Sequence, residues 1–145
     1  MRNHILNSLL ALFCGITAVG LVAAPAAGAL LNANDHIWEA DAWMGNIHLQ
    51  SKYKESPENG LIDQSLEVEL QHVPAGTTVQ VMLNGSYMLG SMTADATGHA
   101  RLSIDILGVQ PNAQGRPVGP RIETGDVISV VRGAQSLSAS FVQVQ

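Results

Sequence analysis

Residues 66–85 read LEVELQHVPAGTTVQVMLNG and contain the clearest strand and turn signals of the chain. In the first part of this stretch every second residue is apolar, at Leu66, Val68 and Leu70, and polar residues lie between them. Side chains alternate between the two faces of a strand, so the pattern predicts an antiparallel strand with one face in the core and one in water. Val73-Pro74-Ala75-Gly76 then predicts a tight turn, because Pro presets φ and Gly tolerates a positive φ.

The pair Asn84-Gly85 predicts a hairpin, since both residues tolerate the positive φ of a type I′ turn. With a two-residue turn, Val81 pairs with Met88 and Val79 pairs with Gly90. Counting outward from the turn assigns one set of residues to the core face: Val79, Val81, Leu83, Met88 and Met92. The opposite face then carries Gln80, Met82, Tyr87, Leu89 and Ser91.

The rest of the chain after residue 35 also alternates in twos, and no segment has a helical period. Gly45-Asn46 separates two strands as a two-residue hairpin turn or a bulge, and residues 56–63 predict a loop. A second hairpin is expected at Asp95-Ala96-Thr97-Gly98, with its return strand directing four apolar residues inward: Ala100, Leu102, Ile104 and Ile106.

Residues 108–124 contain three of the six prolines and predict a crossover between sheets. Strands over residues 127–132 and 137–144 follow. Together these segments predict an all-β fold: an antiparallel β-sandwich of about seven strands with a Greek-key-like connection.

The N-terminal residues 1–29 have the organisation of a secretory signal peptide. Arg2 is followed by an uncharged run to Ala24 and by Ala27-Gly28-Ala29, a spacing typical of a cleavage site. We therefore expect a secreted or periplasmic protein whose single β-sandwich domain spans residues 30–145. The alternative is that the apolar run stays attached as a membrane anchor.

Charge and cysteine content limit the partners of this domain. Residues 30–145 hold all 12 acidic residues and six of the seven Lys and Arg, which gives a formal charge of −6 and disfavours nucleic acid. The single cysteine, Cys14, belongs to the signal, so disulfides and thiolate sites are excluded from the domain. After the signal, no further run is long and apolar enough for a membrane span.

The order of turn residues resembles small exported β-sandwich domains of environmental bacteria, whose function is generally unassigned. The landmarks are Val73-Pro74-Ala75-Gly76-Thr77, Asn84-Gly85, Leu89-Gly90, Ala94-Asp95 with Gly98 and Ala100-Arg101-Leu102, and Gly125-Asp126-Val127. The resemblance covers about residues 47–141. Since the landmarks are turn residues, it implies a fold and no activity.

No motif for catalysis is present. The serines lack a G-x-S-x-G elbow, and carboxylate pairs such as Glu67 and Glu69 are typical of the solvated side of a strand. We therefore expect no catalytic residues and no cofactor. A metal-binding protein is the alternative, because His and Met ligands suit copper. The residues available for it are His36, His48, His72, His99, Met44, Met82, Met88 and Met92, although no two of these histidines are two residues apart.

Exposed aromatic and apolar side chains favour a non-enzymatic binding or structural module instead. Trp38 and Trp43 have opposite parity, so only one of them can share the core face. Such side chains could stack on a glycan or contact a protein partner. The expected ligand or partner surface comprises Trp43, Met82, Tyr87, Leu89 and Phe141.

The C-terminal strand has neither charge nor proline from Gly133 to Gln145. Natural edge strands usually carry one or the other, so this strand is expected to be central. The alternative is an edge that pairs with a second chain, which would give self-association through the C-terminal strand.

Overall fold

The computed structural model describes residues 34–145, which form nine β-strands and no helix. In chain order they are β1 (His36–Met44), β2 (Ile47–Glu58), β3 (Leu61–Gln71), β4 (Thr78–Leu83), β5 (Tyr87–Thr93), β6 (Ala100–Val109), β7 (Val127–Arg132), β8 (Gln135–Ser140) and β9 (Val142–Gln143). The expected signal peptide, residues 1–29, lies outside the described residues.

The strands form two antiparallel sheets packed face to face. One sheet has the order β6-β3-β2-β1-β9 and the other has the order β5-β4-β7-β8. After β5 and β6, the chain returns through a long connection to place β7 beside β4, which is a Greek-key arrangement. The predicted β-sandwich and the crossover over residues 108–124 are confirmed.

The core lies between the sheets and consists of the inward residues of the alternating strands. Leu66, Val68 and Leu70 of β3 are buried, as the pattern predicted. They pack with Val81 and Ile128 of the other sheet, both fully buried. The hairpin at Gly45-Asn46 is also confirmed, because Met44 pairs directly with Ile47.

Residues 56–63 are not a loop, so that prediction was wrong. β2 and β3 continue through this segment and form a hairpin in which Glu58 pairs with Leu61. The turn consists of Asn59 and Gly60 alone, with φ values of 52° and 79°. Pro57 is accommodated within a strand although it contributes no N–H to the ladder.

The hairpin at Asn84-Gly85 exists, but its predicted register was wrong. Leu83 pairs with Tyr87, so the loop has three residues. Asn84 also reaches across to β7, where its Oδ1 accepts a hydrogen bond of 2.8 Å from the amide of Val127. A bulge at Leu89 then makes Val81 pair with Gly90. The shift leaves the Met88 side chain exposed, although it was expected in the core.

The turn over residues 95–98 is present but does not close a hairpin. β5 and β6 belong to different sheets, and β6 pairs with β3 instead. The predicted inward alternation from Ala100 to Ile104 is still observed, because side chains alternate along a strand whichever strand it pairs with.

The C-terminal strand was expected to be central, and that prediction was wrong. It divides at the buried Phe141: β8 is an edge of the four-stranded sheet and β9 is an edge of the five-stranded sheet. Phe141 fixes this change of sheet, because its amide donates to the Asp126 carbonyl and its carbonyl accepts from the Gly125 amide.

Candidate functional site

An apolar cleft opens where the edge strands β5 and β6 of the two sheets face each other. Its volume is about 510 Å³, which falls within the range of small-molecule sites in proteins. The four-stranded sheet supplies Leu83, Tyr87, Met88 and Leu89, and the five-stranded sheet supplies Leu66, Ile104 and Ile106. Three residues of the crossover segment line it as well: Pro120, Arg121 and Ile122.

Several apolar side chains around this cleft are exposed to water. Tyr87 is 62 % exposed, Met88 is 52 % exposed and Ile106 is 44 % exposed. Side chains of this type that cluster around a concave surface are typical of interaction sites, because water contact with a contiguous apolar area is unfavourable.

Tyr53 and Gln64 are polar residues of the cleft lining, and both are buried. The Tyr53 hydroxyl donates a hydrogen bond of 2.9 Å to Glu55 Oε1 and accepts one of 2.6 Å from Gln64 Nε2. Gln64 Nε2 also donates to the carbonyl of Pro120 at 2.9 Å. Burial raises the pKa of Tyr53 above its ordinary value, and the hydrogen bond from Gln64 only partly opposes this effect. The phenol therefore stays neutral.

Behind Tyr53 lies a buried ion pair that holds the crossover segment on β2. Arg116 donates from Nε and Nη2 to the two carboxylate oxygens of Glu55, the second bond measuring 2.8 Å. The Arg116 guanidinium lies 4.6 Å from the ring centre of Trp38, close enough for a cation–π contact. The hydrogen bonds to Glu55 are the main reason that the pKa of Arg116 is raised. The Glu55 carboxylate and the Arg116 guanidinium satisfy one another, which suits a structural role.

A second surface lies on the outward side of the five-stranded sheet. The Trp43 and His48 rings are stacked with 3.8 Å between their centres and 9° between their planes. Asp41 Oδ2 accepts a hydrogen bond from His48 Nε2. Asp41 also borders a shallow groove of about 310 Å³ whose side chains include Glu39, Asp41, Gln50, Lys52, Glu67 and Glu69.

The structure brings together only part of the surface expected from the sequence. Tyr87 and Leu89 both line the cleft, whereas Trp43 lies on the outward face of the other sheet, 57 % exposed. Met82 is half-buried and pairs with Met88. Phe141 must be removed from this surface, because it is 1 % exposed and lies in the core.

Several lining residues were not recognised as site residues from the sequence. Ile104 and Ile106 had been assigned inward positions, and Leu83 had been assigned to the core face. Alternation shows that such residues point away from the outer surface, but it does not show where the two sheets separate and leave them uncovered.

The metal alternative depends on whether His and Met side chains converge on one point. His48 contacts Asp41, whereas His99 lies 3.6 Å from Glu69. Within residues 34–145, no three His, Cys, Asp or Glu side chains converge in a manner that could hold a metal ion. Met92 is buried in the core.

Comparisons with models of known protein families and with curated proteins found no match to this chain. Over the part that the structure describes, no helix is long and apolar enough to span a membrane.

Proposed function

We propose that this protein is an exported, non-enzymatic binding module and that the cleft between β5 and β6 receives an apolar ligand. The observation that carries the proposal is an open cavity of about 510 Å³ with predominantly apolar walls and a neutral polar interior. A concave apolar cavity with a few fixed polar groups is the most common form of a small-molecule site.

The lining supports an apolar ligand over a charged one. Among the described residues, Arg121 is the only formally charged one in the lining, and its Nε already donates to Glu123 Oε1. Transfer of a charged ligand into such a cavity would leave its charge poorly solvated. An apolar molecule instead removes the exposed surface of Tyr87, Met88 and Ile106 from water.

The polar groups of the cleft favour binding without catalysis. Tyr53 and Gln64 are hydrogen-bonded to each other and to fixed neighbours. The carboxylate that accepts from Tyr53, Glu55, is itself bound by Arg116 through both of its oxygens, so it is held as an ion pair and does not serve as a general base for a ligand. Export is supported by the signal-like organisation of residues 1–29.

The proposal is tested by titrating the protein with N-phenylnaphthylamine, a neutral apolar dye whose fluorescence rises away from water. We expect saturable binding at one site with a Kd on the order of micromolar. Ile106→Asp places a charge in the wall and should weaken binding by about tenfold or more. Leu107→Asp is the matched control, because Leu107 is the next residue, is 75 % exposed and does not line the cleft.

Two results would contradict the proposal. One is dye fluorescence that increases without saturation. The other is equal loss of binding in Ile106→Asp and Leu107→Asp while both variants keep the circular dichroism of the parent protein.

A further inference from the structure

The second surface carries a different binding site, independent of the cleft. We propose that Trp43 and the groove beside it bind a neutral saccharide chain.

Trp43 presents a flat apolar face in a fixed orientation. It lies directly opposite His48 on the neighbouring strand, and the two rings are nearly parallel at 3.8 Å. The His48 side chain is 10 % exposed and is held by Asp41, so it is a firm support. One face of the indole is therefore covered by the imidazole, while the side chain remains 57 % exposed. Because the ring is held in place, a ligand that stacks on it restricts little further motion of the Trp43 side chain. The entropic cost of binding is therefore small at this residue.

The groove continues from this aromatic pair along the same face of the sheet. Asp41 and Gln50 both line it, and they are two residues from Trp43 and His48 respectively. Residues two apart on a strand share a face, so a ligand on the indole extends directly into the groove. An elongated ligand can thus make aromatic and polar contacts at once.

The charges of the groove are already paired within the protein. Glu67 accepts from Arg101 at 2.7 Å, Glu39 lies 3.7 Å from Lys52 and Glu69 lies 3.6 Å from His99. A cationic ligand would have to compete with these internal partners. A polyanion would be repelled, because the groove side chains include four carboxylates and one lysine.

A ligand rich in hydroxyl groups satisfies these conditions without carrying a charge. The carboxylates of Asp41 and Glu69 retain lone pairs that accept from hydroxyls, and Gln50 and Lys52 offer N–H donors. The C–H face of a sugar ring provides the apolar surface that packs on an indole. This combination of donors, acceptors and one aromatic face selects a neutral saccharide.

The experiment is affinity electrophoresis of the protein in gels that contain soluble neutral polysaccharides, namely β-glucan, xylan, mannan and galactan, with a polyuronate and chitosan as charged comparators. We expect at least one neutral polysaccharide to slow migration. Trp43→Ala should weaken the interaction by about tenfold or more, as is typical of a central aromatic contact. Trp43→Phe should keep part of the binding, since it retains an aromatic face.

Met44→Ala is the matched control, because Met44 follows Trp43 on β1 and is 43 % exposed but does not line the groove. Fluorescence gives a second measurement. The chain has two tryptophans and Trp38 is 1 % exposed, so emission changes caused by a saccharide report Trp43.

The proposal is overturned if none of the neutral polysaccharides slows migration, or if only a charged comparator does. It is also overturned if a neutral polysaccharide slows Trp43→Ala as much as it slows the parent protein. The dye titration with N-phenylnaphthylamine separates this result from the cleft proposal. Trp43→Ala should leave dye binding unchanged, because Trp43 does not line the cleft.

Discussion

Gly98 lies in the connection from β5 to β6 and contacts Val73, which lies in the connection from β3 to β4. Both connections pass from one sheet to the other. The φ of Gly98, 79°, is in the left-handed region, and its carbonyl accepts a hydrogen bond from the amide of Val73. A Cβ atom at this position would lie 2.4 Å from the Val73 carbonyl oxygen. Gly98 is thus required both by its backbone conformation and by the close approach of another backbone segment.

Gly98→Ala should therefore destabilise the fold more than another glycine change with the same φ. Gly60 also has a φ of 79°, but a Cβ there would meet nothing within 4 Å. We expect Gly60→Ala to cost about 1 kcal/mol of unfolding free energy and Gly98→Ala at least about 1 kcal/mol more, measured by urea denaturation. Equal losses would mean that the Val73 contact has no energetic effect.

Glu123 makes a pH-dependent contribution to the free energy of unfolding. Burial opposes its charged form, but the hydrogen bond from Arg121 and the charges of Arg116 and Arg121 outweigh burial and lower the pKa of Glu123. A carboxyl group with a lowered pKa in the folded state stabilises the fold above its ordinary value of 4.5, and this contribution is lost as the pH falls through the lowered pKa.

Glu123→Gln tests this contribution. Because Glu123 is 47 % exposed, the variant should be less stable than the parent by under about 1 kcal/mol at pH 7. The difference should shrink as the pH falls below 4.5 and through the lowered pKa of Glu123, and it should vanish once the carboxyl group is protonated. Urea midpoints at pH 7 and over a series of pH values below 4.5 measure the effect, and a difference that stays constant over the series would exclude it.

The ion pair between Glu55 and Arg116 joins the crossover segment to β2. The two residues are 61 apart in sequence, and Glu55 is 1 % exposed. The crossover also supplies the Pro120 carbonyl that accepts from Gln64 in the cleft. The position of this segment therefore determines one wall of the proposed ligand site.

Arg116→Ala should destabilise the protein strongly, by about 3 kcal/mol, because it leaves the Glu55 carboxylate buried without its cation. Lys52→Ala removes an exposed partner 3.7 Å from Glu39 and should change stability by less than about 1 kcal/mol. Urea denaturation of both variants gives the comparison. Similar small losses in the two would show that the buried pair does not hold the crossover segment.

The elements also show how far the sequence determines the candidate site. The strand assignments around Leu66 and Ile104 followed from alternation, and Tyr87 and Leu89 were named as ligand residues. The sequence did not predict that these residues line one cleft, because the bulge at Leu89 shifts the register of β5 and because β6 pairs with β3. The register shift and the strand pairing both depend on contacts with other segments of the chain.

In the assembled sandwich, β8 is an uncharged edge of the four-stranded sheet. It pairs with β7 on one side, and its residues Gln135–Ser140 include neither proline nor charge. Edges of this kind can pair with a second chain, because their outward backbone groups are free to form a ladder. Self-association through the C-terminal strand therefore remains a prediction.

A lysine at Ser136 tests this prediction, because charge on an edge strand opposes pairing. Ser136 is exposed on β8, and Gln80→Lys adds the same charge to an exposed position of the central strand β4. We expect the parent protein and Gln80→Lys to associate as concentration rises in analytical ultracentrifugation, and Ser136→Lys to stay monomeric. A parent protein that is monomeric throughout would contradict the prediction.

Local sequence is enough to predict the fold class, the inward alternation of β3 and the places where the chain turns, since these depend on neighbouring residues and on the two-residue period of a strand. The three-dimensional arrangement was needed for the register after Asn84-Gly85, for the edge positions of β8 and β9, and for the cleft between β5 and β6. Strand pairing and sheet separation depend on contacts between distant segments, and a local pattern does not specify which distant segments meet.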